Sequence, residues 1–205
     1  TKHFKMLNLI RTKIEELKKL DPKFTVFGAE SHQYIFNSVI TEDEISLFES
    51  KYDIKIPKDY RSFLKNFGNG GCGPNSGLFK LENGIYDIPL NKTQSKIIHL
   101  KKEFRFKTFW NLEGFSEDNY DVWEDEYDKL KWADGMLRIS HLGCGMYANI
   151  VLNGKEKGNI WIDSRTNEGG IYPANYYNKT IKNDFFSWYL HWIESSIKEL
   201  NTNKL

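Results

Sequence analysis

The stretch Ile40-Thr-Glu-Asp-Glu-Ile-Ser-Leu-Phe-Glu-Ser-Lys-Tyr-Asp-Ile-Lys-Ile-Pro-Lys-Asp-Tyr-Arg-Ser-Phe-Leu-Lys-Asn-Phe-Gly-Asn-Gly-Gly-Cys-Gly-Pro74 decides the fold. Thr41 and Glu44 have the spacing of a capping box, and Ile40 and Ile45 stand at the hydrophobic-staple positions around it, so a helix is expected to start at Glu42. Ile45, Phe48 and Tyr52 mark its buried face. Ile54 to Pro57 breaks that helix, and Pro57 sits at or just before the start of a second one. Tyr60, Phe63, Leu64 and Phe67 then recur at i, i+3, i+4 and i+7, and Gly68 supplies the stop. Two helices therefore meet at a short corner and run into a glycine-rich loop.

Upstream, Leu7, Ile10, Ile14 and Leu17 recur at three- and four-residue spacing among charged residues, which predicts an amphipathic first helix ending at Asp21-Pro22. Phe24 to Tyr34 shows no helical period and is expected to lie extended. Downstream, Leu78 to Leu81 reads as a strand turned by Asn83-Gly84 before Ile85. Residues 91 to 135 carry little regular pattern, with helical hints at Ile97 to Phe104 and Val122 to Leu130. Leu137 with Ile139, Ala148 to Leu152 and Ile160 to Asp163 read as three short strands, punctuated by Gly143-Cys-Gly145 and Asn153-Gly154. Phe185, Phe186, Trp188, Tyr189, Trp192, Ile193, Ile197 and Leu200 give a wide apolar face on a last helix, capped by Asn183 or Asp184. Helices flanking an antiparallel meander make the chain α+β.

With 205 residues, 40% of them hydrophobic and 15% aromatic, the chain is long and apolar enough to build a core. The net charge of +1 conceals segregation, because Glu117, Asp118, Asp121, Glu124, Asp125, Glu126 and Asp128 follow Lys96, Lys101, Lys102, Arg105 and Lys107. Arginine occurs only at positions 11, 61, 105, 138 and 165, which disfavours nucleic-acid binding because bidentate forks are scarce. Two cysteines and the lack of a signal or membrane-spanning run point to a reducing cytoplasm. The sequons at Asn91 and Asn178 have no secretory feature beside them.

Chemical motifs are weak. Gly68-Asn-Gly-Gly-Cys-Gly73 satisfies GxGxxG, but it follows a helix and precedes proline, whereas a dinucleotide loop needs a strand before it and a helix after it. His141 and Cys144 could be half of a zinc or thiolate site, yet two cysteines build no Cys-rich cage and the glycines around Cys144 fit a tight turn. His32 beside Tyr34 reads as a hydrogen-bonded structural histidine. Neither a cofactor nor a catalytic set is expected.

Phe27-Gly-Ala with His32 and Tyr34, the helix pair joined at Ile56-Pro57, the Phe67 to Pro74 loop, His141-Leu-Gly-Cys-Gly, Trp161-Ile-Asp163, Gly170-Ile-Tyr-Pro173 and Phe186 to Trp192 follow one another in an order that resembles the SUKH superfamily. The chain departs from that pattern at Cys72 and Asn75. One domain is expected over residues 23–205, with the amphipathic helix of residues 1–22 packed on it. The resemblance, which runs from about Phe27 to Trp192, implies a strongly bent antiparallel sheet flanked by helices. It also implies a non-enzymatic protein-binding scaffold, in bacteria most often an immunity protein that neutralises a cognate toxin such as a nuclease. A regulatory scaffold for another cellular protein is the alternative.

The acidic run is either a solvated face or a recognition surface. Tyr120, Trp123 and Tyr127 interleave with the acids, and aromatics supply contact area while acids steer a basic partner. Tyr120, Asp121, Trp123, Glu124, Asp125 and Glu126 are therefore the expected toxin-contact residues, with Asn69 and Asn75 of the glycine loop as the next place to look. No membrane or nucleic-acid partner is expected.

Overall fold

The computed structural model describes residues 2–86 and 98–202. Among these residues the elements are α1 (Lys2–Leu20), α2 (Ala29–His32), α3 (Glu42–Tyr52), α4 (Lys58–Asn66), α5 (Ile98–Lys101), α6 (Tyr120–Tyr127), β1 (Met136–Gly143), β2 (Met146–Val151), β3 (Ile160–Asp163), β4 (Ile171–Pro173) and α7 (Phe185–Thr202). The strands form an open antiparallel sheet in the order β1-β2-β3-β4. The α+β class expected from the sequence is the one observed. The Asn91 sequon, Lys96 and Ile97 lie outside the described residues.

The helical corner forms as the sequence predicts. The Thr41 hydroxyl accepts from Glu44 N–H, the Glu44 carboxylate accepts from Thr41 N–H at 2.8 Å, and Ile40 and Ile45 are both buried. Pro57 caps α4, and Tyr60, Phe63 and Leu64 are buried. One buried carboxylate, outside the helical pattern, locks the corner. Glu49, 2% exposed, accepts from Ile56 N–H at 2.8 Å, from Lys55 at 2.8 Å and from Arg61 at 2.6 Å. Burial works to raise its carboxyl pKa, but these donors and charges together bring it below the ordinary value.

Two segments differ from expectation. Residues 24–34 do not lie extended, because Asp21, buried at the end of α1, gathers donors from Thr25 N–H and Oγ1, Val26 N–H and the Tyr34 hydroxyl. That polar hub folds the chain back and lets the single turn of α2 form. Asn83-Gly84 makes no hairpin either: Leu81–Gly84 is a 3-10 turn. Asn69 Oδ1 holds its first N–H, that of Leu81, at 2.7 Å, and Gly84 lies against β1 so closely that a Cβ there would be 2.2 Å from the Arg138 carbonyl.

The pleat sends alternate residues to opposite faces of the sheet. Leu137, Ile139, Ala148, Ile150, Ile160 and Ile162 face the main core, built with α1, α3, α4 and α7. Met136, Val151, Trp161 and Ile171 face a smaller, aromatic core with Tyr86, Phe104, Phe106, Ala133, Trp110 and Trp132. Register breaks at Arg138/Ser140 and His141/Gly143 interrupt β1, the kind of irregularity that bends a strand. Single bridges extend the sheet beyond both edges, Leu78 to Ser140, Gly71 to Leu78 and Phe36 to Gly71 on one side and Trp110 to Ile171 on the other. The glycine loop is thus threaded between backbone segments. Gly71 has φ 96°, and a Cβ on it would stand 2.6 Å from the Ile35 carbonyl.

Candidate protein-binding surface

The acidic run folds as one short helix whose two faces differ. Ser116 and Asn119 form a capping box, Ser116 N–H donating to Asn119 Oδ1 at 2.9 Å, and the 3-10 turn Glu117–Asn119 leads into α6. Trp123 and Tyr127, four residues apart, face inward: Trp123 is 8% exposed, with ring centroids 5.3 Å from Phe115 and 4.4 Å from Tyr127. The ring of Tyr127 lies 5.8 Å from Trp110 and so joins α6 to the aromatic core. Its hydroxyl donates to Asn111 Oδ1 and accepts from Gly170 N–H at 2.8 Å.

The outer face carries Tyr120, Asp121, Val122, Glu124 and Asp125 in solvent, with Glu117, Asp118 and Asp128 exposed at its ends. Among the described residues, no lysine or arginine forms an ion pair with these acids. Glu126 behaves differently. It is ion-paired to Lys129 and Lys131, whose hydrogen bonds hold its carboxyl below the ordinary value. Tyr120 donates its hydroxyl to Glu124 Oε1 at 3.0 Å. The structure therefore brings Tyr120, Asp121, Glu124 and Asp125 onto one free surface, turns Trp123 beneath them, and engages Glu126 internally.

Asn69 and Asn75 are not joined to α6 by any described hydrogen bond or ring contact. Asn69 Nδ2 donates to Glu82 at 3.2 Å while its Oδ1 caps the Leu81 turn, and Asn75 Nδ2 donates to the Leu142 carbonyl at 2.7 Å from a residue with φ 51°. Asn69 is committed to holding the loop against the Leu81–Gly84 turn, and Asn75 to holding it against β1.

An anchor missing from the sequence reading sits below α6. Arg165, 9% exposed, donates Nη1 to the carbonyls of Tyr127 at 2.8 Å and Lys129 at 3.2 Å, and pairs with Asp163 through Nε and Nη2, each at 2.9 Å. A guanidinium at the carbonyl end of a helix satisfies acceptors that lack an intrahelical donor and complements the helix dipole. Burial works to raise the Asp163 carboxyl, but the bond and charge of Arg165 and the Tyr86 hydroxyl, 2.9 Å away, carry it below its ordinary value. The one available sequence signal was an Asp-Ser-Arg step after an apolar strand, in a chain poor in arginine.

The weaker chemical motifs resolve into structure. Cys144 is exposed at φ 48° between Gly143 and Gly145, both also at positive φ, and forms the β1–β2 turn. Buried Cys72 has its thiol pushed up to about 12 by burial, and its carbonyl accepts from Tyr189 at 2.9 Å. His32 is buried, its Nδ1 accepts from Tyr34 N–H at 3.0 Å, and its ring packs edge-on against Trp192. Burial, partly opposed by backbone hydrogen bonds, lowers its pKa. No group of three or more potential metal ligands occurs among the described residues, nor is any described helix long and apolar enough to cross a membrane. Cys144→Ser is expected to leave the melting temperature and partner binding at parental values, and Cys72→Ala to cost stability without altering binding in the folded protein. Thermal melting with a binding titration checks both; weaker binding by a folded Cys144→Ser variant would contradict it.

The chain is 29% identical over 139 residues to a protein named immunity protein RhsIB from Dickeya dadantii (strain 3937), an alignment covering 55% of this chain and 81% of that one. No solved structure gives a significant match. The SMI1 / KNR4 family (SUKH-1) profile matches residues 39–189, from the staple residue before α3 into α7. The chain belongs to the SMI1 / KNR4 family (SUKH-1).

Proposed function

We propose that this protein is an immunity protein that binds a cognate toxin domain in the cytoplasm and neutralises it by stoichiometric contact. The observation that carries this reading is the unpaired acidic face of α6, held by Arg165 on a scaffold similar to a named immunity protein. Acids that no described lysine or arginine pairs keep their field available to a partner, and that field accelerates encounter with a basic surface. A toxin that grips phosphates with lysine and arginine presents such a surface. No turnover is required, so protection should saturate near one immunity protein per toxin.

Charge reversal of the free acids tests this. The triple variant Asp121→Lys, Glu124→Lys, Asp125→Lys is expected to bind the cognate toxin domain at least about tenfold more slowly in about 0.05 M salt. The difference should shrink toward about 0.5 M salt, where the screening length falls to a few ångströms. Stopped-flow association across a salt series, with growth rescue on co-expression, reads the effect. Parental association by the folded variant at every salt concentration would reject α6 as the contact, and protection at strongly substoichiometric ratio would reject neutralisation by binding.

A further inference from the structure

A second aromatic feature reaches the surface at the β4 edge of the sheet, over the margin of the main core. The rings of Phe109, Tyr172, Tyr176 and Tyr177 form one cluster, with centroids 5.4 Å apart for Phe109 and Tyr176, 6.2 Å for Phe109 and Tyr172, 5.0 Å for Tyr176 and Tyr177, and 5.8 Å for Tyr172 and Tyr177. Tyr177 is 82% exposed and Phe109 is also in solvent. Large rings gathered at a surface are costly to leave in water and mark interaction sites when they are contiguous.

Its position connects the cluster to the acidic helix. Tyr172 lies on β4, whose Ile171 exchanges both backbone hydrogen bonds with Trp110, the residue after Phe109. One residue further on, Asn111 accepts from the Tyr127 hydroxyl and donates to the Glu168 carbonyl at 2.8 Å. Tyr172 packs toward the main core while Trp110 and Tyr127 lie on the other side, so the cluster and α6 flank the same edge of the sheet. The cluster also accepts a cation within the chain, Lys179 Nζ standing 4.9 Å above the Tyr176 ring.

We propose that Phe109, Tyr172, Tyr176 and Tyr177 form the centre of the partner-binding surface, with the acids of α6 as its steering rim, and that the occupant is a lysine- or arginine-bearing surface of the toxin domain. Charge complementarity selects that occupant: aromatic faces attract guanidinium and ammonium groups, as Lys179 over Tyr176 illustrates, and the carboxylates of α6 across the same sheet edge favour the same sign of charge. The division of labour follows from physics. Exposed charge governs how fast the partner arrives, and desolvated aromatics govern how slowly it leaves.

This inference rests on the proposed immunity function, and the experiment separates the two. Tyr177→Ala and the double variant Tyr176→Ala, Tyr177→Ala are compared with Leu47→Ala, a largely exposed apolar residue on α3 (71% exposed), against the cognate toxin domain. The double variant is expected to dissociate about 30-fold faster or more, as for a hot-spot pair. Because ring contacts are not screened, the effect should persist at about 0.5 M salt, and Leu47→Ala should match the parent. Tyr177→Ala, truncating a ring already in solvent, keeps the test valid if the double variant fails to fold. Parental dissociation rates in the folded tyrosine variants overturn the aromatic centre alone; a parent that does not bind the toxin domain overturns the immunity function and this surface with it. A parent that self-associates through these tyrosines, with toxin binding unchanged in monomeric variants, assigns the cluster to a second copy and overturns the proposal.

Discussion

Arg165→Ala is expected to cost about 3–5 kcal/mol of stability, the range for breaking a buried ion pair by removing one partner. The loss has two sources: Asp163 stays buried without its cation, supported only by the Tyr86 hydroxyl and the backbone N–H of residue 165, and the Tyr127 and Lys129 carbonyls lose their donor. The pH dependence has a definite sign. In the parent the Asp163 carboxyl lies below its ordinary value, so the pair contributes stability above the ordinary carboxylate range, and that contribution is lost as pH falls through the lowered native value. Without Arg165 burial dominates and the carboxyl pKa rises. The gap in melting temperature between parent and Arg165→Ala should thus be widest near neutral pH and narrow toward about pH 4. A gap independent of pH would mean that the pair does not couple to folding. The double variant Asp163→Asn, Arg165→Met should recover much of the stability, since replacing both charges is far cheaper than orphaning one. It should still bind the toxin poorly, because the end of α6 has lost its clamp.

That clamp shows where sequence reading succeeds and where it stops. Thr41, Glu44, Ile40 and Ile45 were legible because the capping box and staple that start the helix span at most five residues, so spacing alone specifies that local geometry. The apolar faces of α1, α4 and α7 were legible for the same reason: a 3.6-residue period predicts which side is buried, whatever it is buried against. Asp184 was one of two candidate caps for α7, and it caps by accepting from Ser187 N–H at 2.9 Å. Arg165 meets Tyr127 across 38 residues and Asn75 meets Leu142 across 67. No periodicity encodes those partners. The Asn83-Gly84 error is of this kind, since the local turn preference was overridden by Asn69, twelve residues from Leu81, and by the Arg138 carbonyl against Gly84.

Within the candidate surface, the acids and their helix were legible, but not the direction in which each ring points. Tyr120, Trp123 and Tyr127 all lie on a helix with aromatics on several sides, so period alone could not assign the inner face. What assigns it is Phe115 and Trp110, brought in by a segment without regular pattern. The tyrosines at 172, 176 and 177 gave a weaker signal still. They touch one another across a short turn, and Phe109 joins them because β4 pairs with the backbone beside it.

The burial of Trp123 changes what its removal should do. An exposed anchor would affect dissociation alone, whereas a ring 8% exposed beneath the acids holds the helix in place. Truncating a buried tryptophan typically costs about 3–5 kcal/mol, but α6 has eight residues, too few to persist in water once its packing is gone. Trp123→Ala is therefore expected to unfold the 115–127 segment locally, and its cost to global stability is capped by the free energy of that local opening. Hydrogen exchange should show the α6 amides losing protection while those of β1 to β3 keep theirs, with toxin affinity falling about tenfold or more as the acids lose their fixed positions. Trp123→Phe sets the limit. The indole Nε1 has no hydrogen-bond partner among the described residues, so phenylalanine sacrifices ring area but no polar contact, and should retain helix protection and most of the affinity. If Trp123→Ala keeps its α6 amides protected and still binds poorly, the indole touches the toxin directly and the helix stands on Tyr127 and Arg165 alone.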